Sequence, residues 1–249
     1  MKYGICNIGI APLRAESSHR SEMVTQLLYG NHFQILETNS RWSLIKNSFD
    51  NYQGWIDTKQ FLRIPEAEFL KLEQEELKLS ADLVDYVTDP KEQLISICLG
   101  STVSASVYMN HNFEGKSISG KQPKEHLIST ALLYLNSPYL WGGKTPFGID
   151  CSGLAQMVYK LNGYRLMRDA RDQAGQGEAL SFIEESQAGD LAFFDNDEGV
   201  ITHVGIIMDD NYIIHAHGTV RIDRLDHTGI FNSDLKKHTH KLRIIKRII

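Results

Sequence analysis

An abrupt change of pattern at Cys151 constrains this chain more than any other feature. The preceding stretch, 139–150, reads Y-L-W-G-G-K-T-P-F-G-I-D and is rich in glycine. After the cysteine, apolar residues follow the i, i+3, i+4, i+7 spacing of one helix face, up to a glycine stop: Leu154, Met157, Val158 and Leu161. Cys151 therefore lies in the first turn of a helix, where unpaired backbone N–H groups and the positive end of the dipole favour a thiolate. We expect a nucleophile with a lowered pKa.

Two histidines downstream can supply a base for this nucleophile. The sequence at 202–216, T-H-V-G-I-I-M-D-D-N-Y-I-I-H-A, has two β-rich runs on either side of a polar turn. If the hairpin is centred on Asp209, residue 203 pairs with residue 215, and His203 and His215 share one face. This arrangement requires a turn of odd length, because a two-residue loop would place the histidines on opposite faces. Adjacent imidazoles suit a base and the group that orients it.

These motifs together resemble the NlpC/p60 cysteine peptidases, papain-like enzymes that cut peptidoglycan stem peptides. The segments that carry the resemblance are D-C-S-G-L at 150–154, A-G-D-L-A-F-F at 188–194 and the two histidine motifs, in the family's order and spacing. The resemblance implies that Cys151 is the nucleophile, that His203 is the base and that His215 orients His203. It also implies that His203 forms an ion pair with the cysteine and later protonates the leaving amine.

The residues ahead of the catalytic motifs predict small all-β domains. Short β-rich runs separated by turn residues are typical of a small barrel, and they resemble a bacterial SH3 (SH3b) domain: 34–37, 42–46 and 54–57. Two further runs, 94–99 and 103–108, suggest a second, degenerate barrel. The predicted fold class is α+β. Its parts are an SH3b domain over 1–62, a second SH3b-like domain over 63–120 and a papain-like NlpC/p60 catalytic domain over 121–249.

Two charged segments are expected at the surface. Segment 66–92 is rich in Asp and Glu, and its helical spacing indicates an exposed connector. The tail, 236–249, alternates Lys and Arg with Leu and Ile, which is typical of a solvated edge strand. Within the tail, His238 and His240 have the i, i+2 spacing that places both rings on one strand face. A zinc site with His217 would lack a completing Cys or carboxylate. NlpC/p60 chemistry uses no metal, so neither a metal nor a cofactor is expected.

Composition narrows the classes of partner. The chain has 249 residues, of which 42% are hydrophobic and 23% charged, as in ordinary globular proteins. Its net charge of −5 argues against nucleic-acid binding. Neither a signal peptide nor a membrane-spanning stretch is visible, so a cytoplasmic protein without membrane contact is expected. Cys6 and Cys98 lie in apolar runs and are interpreted as small buried hydrophobes. No feature of the sequence decides the oligomeric state.

SH3b barrels ahead of an NlpC/p60 domain resemble the YkfC-like γ-D-glutamyl-L-diamino-acid endopeptidases, which act on short muropeptides with a free L-Ala terminus. In that branch the first barrel walls off the active site, and an acid and a tyrosine bind the substrate ammonium. The matching positions here are Glu16 and Tyr52. Ala170 lacks the hydroxyl that the branch usually offers to the substrate. The resemblance implies further substrate-binding residues around the nucleophile: Tyr139, Asp150, Ser152 and Asp169.

The sequence therefore predicts a cytoplasmic cysteine peptidase. It would hydrolyse the γ-D-Glu–diamino-acid bond of the muropeptide L-Ala-γ-D-Glu-diamino acid, in muropeptide recycling. Three alternatives stay open: an acyltransferase or lipid amidase with the same constellation, a general wall hydrolase without N-terminal gating, and a non-catalytic wall-binding protein. The first would need an apolar acyl groove, and the intact Cys151, His203 and His215 argue against the last.

Overall fold

The chain divides into two compact units. A computed structural model describes residues 2–249, and the units are Met1–Gly120 and Lys121–Ile249. All three cysteines are free and buried, as the interpretation of Cys6 and Cys98 requires. Within residues 2–249, no helix is long and apolar enough to cross a bilayer.

An SH3-like sheet forms the core of the first unit. Its strands are β1 (Tyr3–Ile5), β2 (Ile10–Arg14), β3 (Met23–Leu28), β4 (His32–Thr38), β5 (Trp42–Asn47), β6 (Gln53–Asp57) and β7 (Leu62–Ile64). They pair antiparallel in the order β3-β2-β6-β5-β4-β1-β7. Alternate residues of these strands, among them Leu13, Phe33, Ile45 and Ile56, are fully buried in one cluster. The three β-rich runs predicted at 34–57 are confirmed as β4, β5 and β6.

The segment after β7 does not form a second sheet of this kind. It contains α1 (Glu66–Gln74), β8 (Lys78–Ser80), β9 (Val84–Thr88), β10 (Leu94–Cys98), a 3₁₀ helix (Val103–Met109) and β11 (Ser117–Ser119). β9 pairs with β10, and β8 pairs with β11, as separate two-stranded sheets. Buried residues of this segment share a hydrophobic cluster with Ile5 and Tyr29. These pairings offer no support for a second SH3b-like domain, and the predicted boundary at residue 62 stays a prediction.

Two expectations for this segment are wrong. The run 103–108 is a 3₁₀ helix and not a strand, because Val103, Ser106 and Met109 bury one face at the three-residue period of that helix. The acidic segment is not simply an exposed connector. Phe69 and Leu72, three residues apart on α1, are each 4% exposed and pack into the unit's core.

The second unit combines helices with a larger sheet. Its elements are α2 (His126–Leu132), β12 (Lys144–Thr145), β13 (Gly148–Ile149), α3 (Cys151–Leu161), α4 (Ala170–Gln173), β14 (Glu178–Leu180), a 3₁₀ turn (Ile183–Glu185), β15 (Leu191–Asp195), β16 (Ile201–Met208), β17 (Tyr212–His217), β18 (Thr219–Leu225), β19 (Gly229–Asn232) and β20 (Lys237–Arg247). The sheet runs β14-β20-β15-β16-β17-β18-β19. α3 packs against β16 and β17. The predicted α+β class is confirmed.

β20 closes this sheet into a six-stranded barrel. One side of β20 pairs with β15, while the other pairs first with β19 and then with β14. The prediction that the basic tail is a solvated edge strand is therefore wrong. Its Lys and Arg residues alternate with apolar ones because one face of β20 points into the barrel and the other into solvent. The closure brings β20 next to the strands that carry the predicted catalytic histidines.

Candidate functional site

The start of α3 holds Cys151 in a tightly packed position. The Asp150 carboxylate caps the helix by accepting the backbone N–H of Gly153 at 2.6 Å, and it also accepts the N–H of Gly142 at 2.8 Å. A Cβ at Gly153 would lie 2.3 Å from the Gly143 carbonyl oxygen, so only glycine permits this approach. The predicted helix start is confirmed, and Cys151 is 7% exposed.

A buried arginine stabilises this helix start. Arg168, 1% exposed, donates to both carboxylate oxygens of Asp150, at 3.0 and 2.6 Å, and to the Ser152 hydroxyl at 2.8 Å. Such a bidentate pair fixes geometry as well as charge. Arg168 was not predicted from the sequence, because it lies in a polar stretch among other charged residues. Asp150 and Ser152 thus direct their side chains to Arg168 and the helix, and their predicted role in substrate binding stays a prediction.

The hairpin that carries the two histidines has a three-residue turn. β16 and β17 pair Gly205 with His215, which places the centre of the turn at Asp210. Asp210 and the residue after it take left-handed φ, which Asp and Asn tolerate. The predicted odd length is confirmed. The predicted centre at Asp209 is wrong by one position, and the predicted pairing of 203 with 215 is therefore wrong by two. A shift of two positions preserves the face, so His203 and His215 still lie side by side, diagonally across the strands.

The histidines form a relay that ends at a buried carboxylate. His203 Nε2 lies 2.8 Å from His215 Nδ1, and His215 Nε2 lies 3.1 Å from Asp223 Oδ2. Arg221 fixes this carboxylate by donating to both of its oxygens, at 2.7 and 2.9 Å. All three relay residues are buried. Sequence reasoning missed Asp223, which alternation on β18 places on the inner face beside Leu225. The arrangement orients His203 through a chain of hydrogen bonds, as a catalytic base requires.

A third histidine ring, from β20, completes the cluster. His240 stacks on His203 with ring centroids 4.1 Å apart and planes inclined by 23°. His238 instead points outward and pairs with Asp226 at 2.9 Å. The expectation that both tail histidines share a face is wrong because the register shifts between Ile230 and its neighbour, opposite Thr239. Such a β-bulge inserts one residue and reverses the alternation beyond it.

The protonation states differ from those expected of an ion pair. Burial, and after it the Asp150 carboxylate, raise the pKa of the Cys151 thiol to about 12, although the backbone N–H of Val204 acts in the opposite direction. Burial, and after it the neighbouring His215, lower the pKa of His203 well below its ordinary value. The expected lowering of the thiol pKa by the helix start is therefore wrong, because desolvation of the thiolate outweighs the helix N–H groups. The resting pair is a neutral thiol beside a neutral imidazole.

Alkylation of Cys151 by iodoacetamide should therefore accelerate steadily from about pH 6 to about pH 9. A raised pKa keeps the thiol protonated at neutral pH, and the reactive thiolate grows about tenfold with each pH unit below that pKa. At neutral pH the reaction should be slower than that of free cysteine, whose pKa is roughly 8.5. Mass spectrometry of the labelled peptide measures the rate, with Cys151→Ala reporting any label on Cys6 or Cys98. A rate plateau in the acidic range would instead demonstrate a thiolate–imidazolium pair.

The remaining predicted site residues are placed as follows. Burial, and after it the Cys151 thiol, raise the pKa of Tyr139 to about 12. Asp169 is the residue ahead of α4 and is half-buried. Glu16 is exposed on a turn of the first unit, and Tyr52 is half-buried between β5 and β6. The substrate-binding roles of these four residues stay predictions.

A cavity of about 280 Å³ opens beside the histidine cluster. Its lining includes Tyr139, His203, His217 and His240. Because His203 is otherwise 6% exposed, this cavity is the route by which solvent or a small ligand reaches the ring. The arrangement as a whole offers a thiol at a helix start, an oriented neutral base and an open space beside that base. These are the parts that acyl transfer by a cysteine requires.

The sequence matches two known families. Residues 136–241 match the NlpC/P60 family, and residues 13–61 match the bacterial dipeptidyl-peptidase Sh3 domain. Dipeptidyl-peptidase 6 of Lysinibacillus sphaericus is 28% identical over 87% of this chain and 89% of its own length. The γ-D-glutamyl-L-lysine dipeptidyl-peptidase of Bacillus subtilis is 42% identical over 40% of this chain, and the match spans 34% of that protein.

Solved structures show the same fold. An NlpC/P60 family protein from Bacillus cereus superposes with a TM-score of 0.79 at 18% identity and covers 99% of both chains. An NlpC/P60 endopeptidase from Photobacterium damselae superposes with a TM-score of 0.68 at 15% identity, over 97% of this chain and 70% of that one. At these identities the likeness concerns the fold alone.

Proposed function

Because this chain carries an NlpC/P60 family domain behind a bacterial dipeptidyl-peptidase Sh3 domain, we propose that it is a cysteine peptidase of peptidoglycan stem peptides. The proposed reaction is hydrolysis of the γ-D-Glu–diamino-acid bond in short muropeptides with a free N-terminal L-Ala. The relatives named γ-D-glutamyl-L-lysine dipeptidyl-peptidase support this bond as the target.

The observation that carries the proposal is the relay behind the nucleophile. Cys151 begins a helix, and His203, His215 and Asp223 follow one another at 2.8 and 3.1 Å. A structural cysteine or a wall-binding module has no use for a buried base held by two further polar groups, each of which costs free energy to bury. This argues against the non-catalytic alternative.

In the proposed mechanism a neutral pair becomes charged only as the substrate reacts. The Cys151 sulfur attacks the γ-carbonyl of D-Glu while His203 takes the thiol proton, and backbone N–H groups at the start of α3 stabilise the oxyanion. The C–N bond then breaks as His203 returns the proton to the leaving amine, which leaves a thioester on the sulfur. Water attacks the thioester, again with His203 as base, and releases the acid and the free thiol.

The lowered pKa of His203 suits this sequence of steps. A neutral imidazole is present at neutral pH and can accept a proton at once. Asp223 partly offsets the effect of burial on His215 by a hydrogen bond that raises its pKa, so the second ring can share the positive charge that develops on His203. The charge is thus stabilised when it forms and does not have to exist in the free enzyme.

We assign recognition of the free amine to Glu16, Tyr52 and Asp169. An ammonium that leaves water needs an anion and further acceptors, since an isolated buried charge is costly. Carboxylates at a closed end would accept only peptides that end there. Free stem peptides of this kind arise after the wall has been cut, and we therefore propose a role in cytoplasmic muropeptide recycling. Asp150 and Ser152 would act on the substrate mainly through the position of Cys151.

N-acetylation of L-Ala-γ-D-Glu-diaminopimelate should lower kcat/KM by at least about tenfold. Acetylation removes the positive charge, and truncating one partner of a desolvated charge pair typically costs about 2–5 kcal/mol. Liquid chromatography with mass spectrometry of both peptides measures the ratio. Glu16→Ala should lower kcat/KM for the free peptide, and the difference in kcat/KM between the free and the acetylated peptide should become smaller.

Glu37→Ala provides the matched control, since Glu37 is an exposed acid on β4 of the same sheet. This variant should leave the ratio of kcat/KM for the free peptide to kcat/KM for the acetylated peptide unchanged. Equal cleavage of free and acetylated peptide by the wild type would show that the free amine is not required. The enzyme would then be a general wall hydrolase. Failure to cleave either peptide, with transfer of an acyl group from a lipid or thioester donor, would favour the acyltransferase alternative.

A further inference from the structure

Three histidines at one end of the barrel form a compact set of nitrogen ligands. The available ring nitrogens of His203, His215 and His240 lie within 4.8 Å of one another, although the residues come from three strands. A fourth ring, that of His217, has its centroid 4.9 Å from that of His240. Imidazole nitrogens are common ligands of Zn²⁺, which binds them at about 2.0–2.1 Å, often three at a time with one open position.

The tautomer of His215 is set for metal binding. A metal-bound imidazole normally donates its other N–H to a carboxylate or carbonyl, which leaves the first nitrogen with its lone pair. His215 Nε2 donates to Asp223, and Arg221 holds that carboxylate on both oxygens. His215 Nδ1 is therefore an acceptor. Without a metal it accepts the N–H of His203 Nε2 at 2.8 Å, and a cation could take the place of that proton.

His240 is prepared in a similar way through a hydroxyl. Its Nδ1 lies 2.9 Å from Thr239 Oγ1, and the hydroxyl in turn donates to the Ile230 carbonyl at 3.5 Å. If the hydroxyl donates to this carbonyl, His240 Nδ1–H is the donor and Nε2 keeps its lone pair. Because His240 is half-buried and follows the bulge at Thr239, its ring can move inward to the spacing that a tetrahedral ion needs.

A cation can reach the cluster through a cavity. The cavity of about 280 Å³ borders His203, His217 and His240. The Asp223 carboxylate, which is ion-paired with Arg221, lies behind His215.

We propose that His203, His215 and His240 bind one Zn²⁺ ion, with water or His217 in the fourth position, and that this ion reversibly inhibits the enzyme. Metal on Nε2 of His203 displaces the proton that this atom carries. The proton moves to Nδ1 of the same ring, which stays neutral, so no net proton is released. Nδ1 is the only other nitrogen of this ring, and once protonated it cannot accept the thiol proton. The inhibitory half of the proposal rests on the proposed function, whereas the binding half does not.

Titration of the apoprotein with ZnCl₂ by isothermal calorimetry tests the binding. The wild type should take up one tight ion per chain, and His240→Ala should weaken that binding by at least about tenfold. His238→Ala is the matched control, because His238 lies on the same strand but outside the cluster, and it should bind like the wild type. Co²⁺ in place of Zn²⁺ should give visible bands of a tetrahedral nitrogen site in the wild type and His238→Ala, and weak ones in His240→Ala.

Equal affinity of the wild type and His240→Ala would overturn the site. Loss of the tight ion in Cys151→Ala with retention in His240→Ala would also overturn it, since the thiol alone would then hold the metal. To test inhibition, kcat/KM is measured with and without Zn²⁺, and each variant is compared with its own metal-free rate. Saturating Zn²⁺ should lower kcat/KM of the wild type at least about tenfold, and EDTA should restore it. Tight binding without inhibition refutes the regulatory half. An enzyme inactive on muropeptides refutes the proposed function and leaves the calorimetric result standing.

Discussion

Cys151→Ala should abolish cleavage of the muropeptide, with a fall in kcat of about 10⁴-fold or more. The alanine removes the only atom that can form the thioester, and no other thiol lies in the second unit. His203→Ala should cost nearly as much, because nucleophile and base act as a unit and their losses do not add. His215→Ala should cost less, since His215 orients the base without touching the reacting atoms. Discontinuous assay of the released diamino acid measures all three rates.

Matched substitutions separate chemistry from folding in this series. Cys98→Ala makes the same change at a buried cysteine of the first unit, and His238→Ala makes it at a histidine outside the relay. Both should retain the wild-type rate per folded molecule. Circular dichroism should show that Cys151→Ala keeps its fold, because the substitution removes one sulfur atom and leaves the hydrogen bonds between Asp150 and Arg168 at the helix start in place. Wild-type turnover by either Cys151→Ala or His203→Ala would refute the mechanism.

Arg168→Ala should lower the free energy of unfolding of the second unit by about 3–5 kcal/mol. The change leaves the Asp150 carboxylate buried without its bidentate partner, and the side chains of Arg168 and Asp150 are 1% and 8% exposed. The same carboxylate caps α3, so the position of Cys151 is lost together with stability. Urea unfolding at neutral pH measures the change, and kcat/KM should fall in parallel.

Two further substitutions sharpen this experiment. Arg171→Ala removes an exposed arginine from the neighbouring helix and should change stability by less than about 0.5 kcal/mol. Arg168→Lys keeps the positive charge but not the planar fork, so its stability should fall between those of the wild type and Arg168→Ala. If Arg168→Ala costs no more than Arg171→Ala, the network does not hold the nucleophile, and Asp150 must be stabilised in another way.

Local patterns in the sequence were enough to predict the helix start at Cys151 and the shared face of His203 and His215, the proposed nucleophile, base and orienting residue. The helix start at Cys151 follows from glycine-rich residues ahead of a helical repeat, and the shared face of His203 and His215 follows from an odd turn between two strands. Both are properties of contiguous segments. The family resemblance added the order and spacing of these segments, and the matched families confirm it.

The groups that surround the site could not be read in this way, because they meet only through long-range packing. His240 joins His203 when β20 pairs with β15, and a bulge then decides which tail histidine faces inward. Arg168 reaches Asp150 across a loop. The pKa of the Cys151 thiol depends on how much solvent the finished fold removes. The helix start alone predicted a lowered pKa, whereas burial raises it. The run 103–108 failed for a related reason, since β-branched and small residues fit a 3₁₀ helix once one face is buried.

The strand that closes the barrel follows all of its partners along the chain, which couples the assembly of the site to folding. β20 pairs with its sequence neighbour β19, but it also pairs with β15 and β14, and these last two pairings join segments far apart in sequence and are expected to form late. Before they form, His203 and His215 can already meet within their hairpin, but His240 is absent and the interior is open to water. An incompletely folded chain would thus carry a solvated, poorly oriented base beside its thiol. Under the proposed function, the late closure of the barrel would leave the nascent chain inactive until its fold is finished.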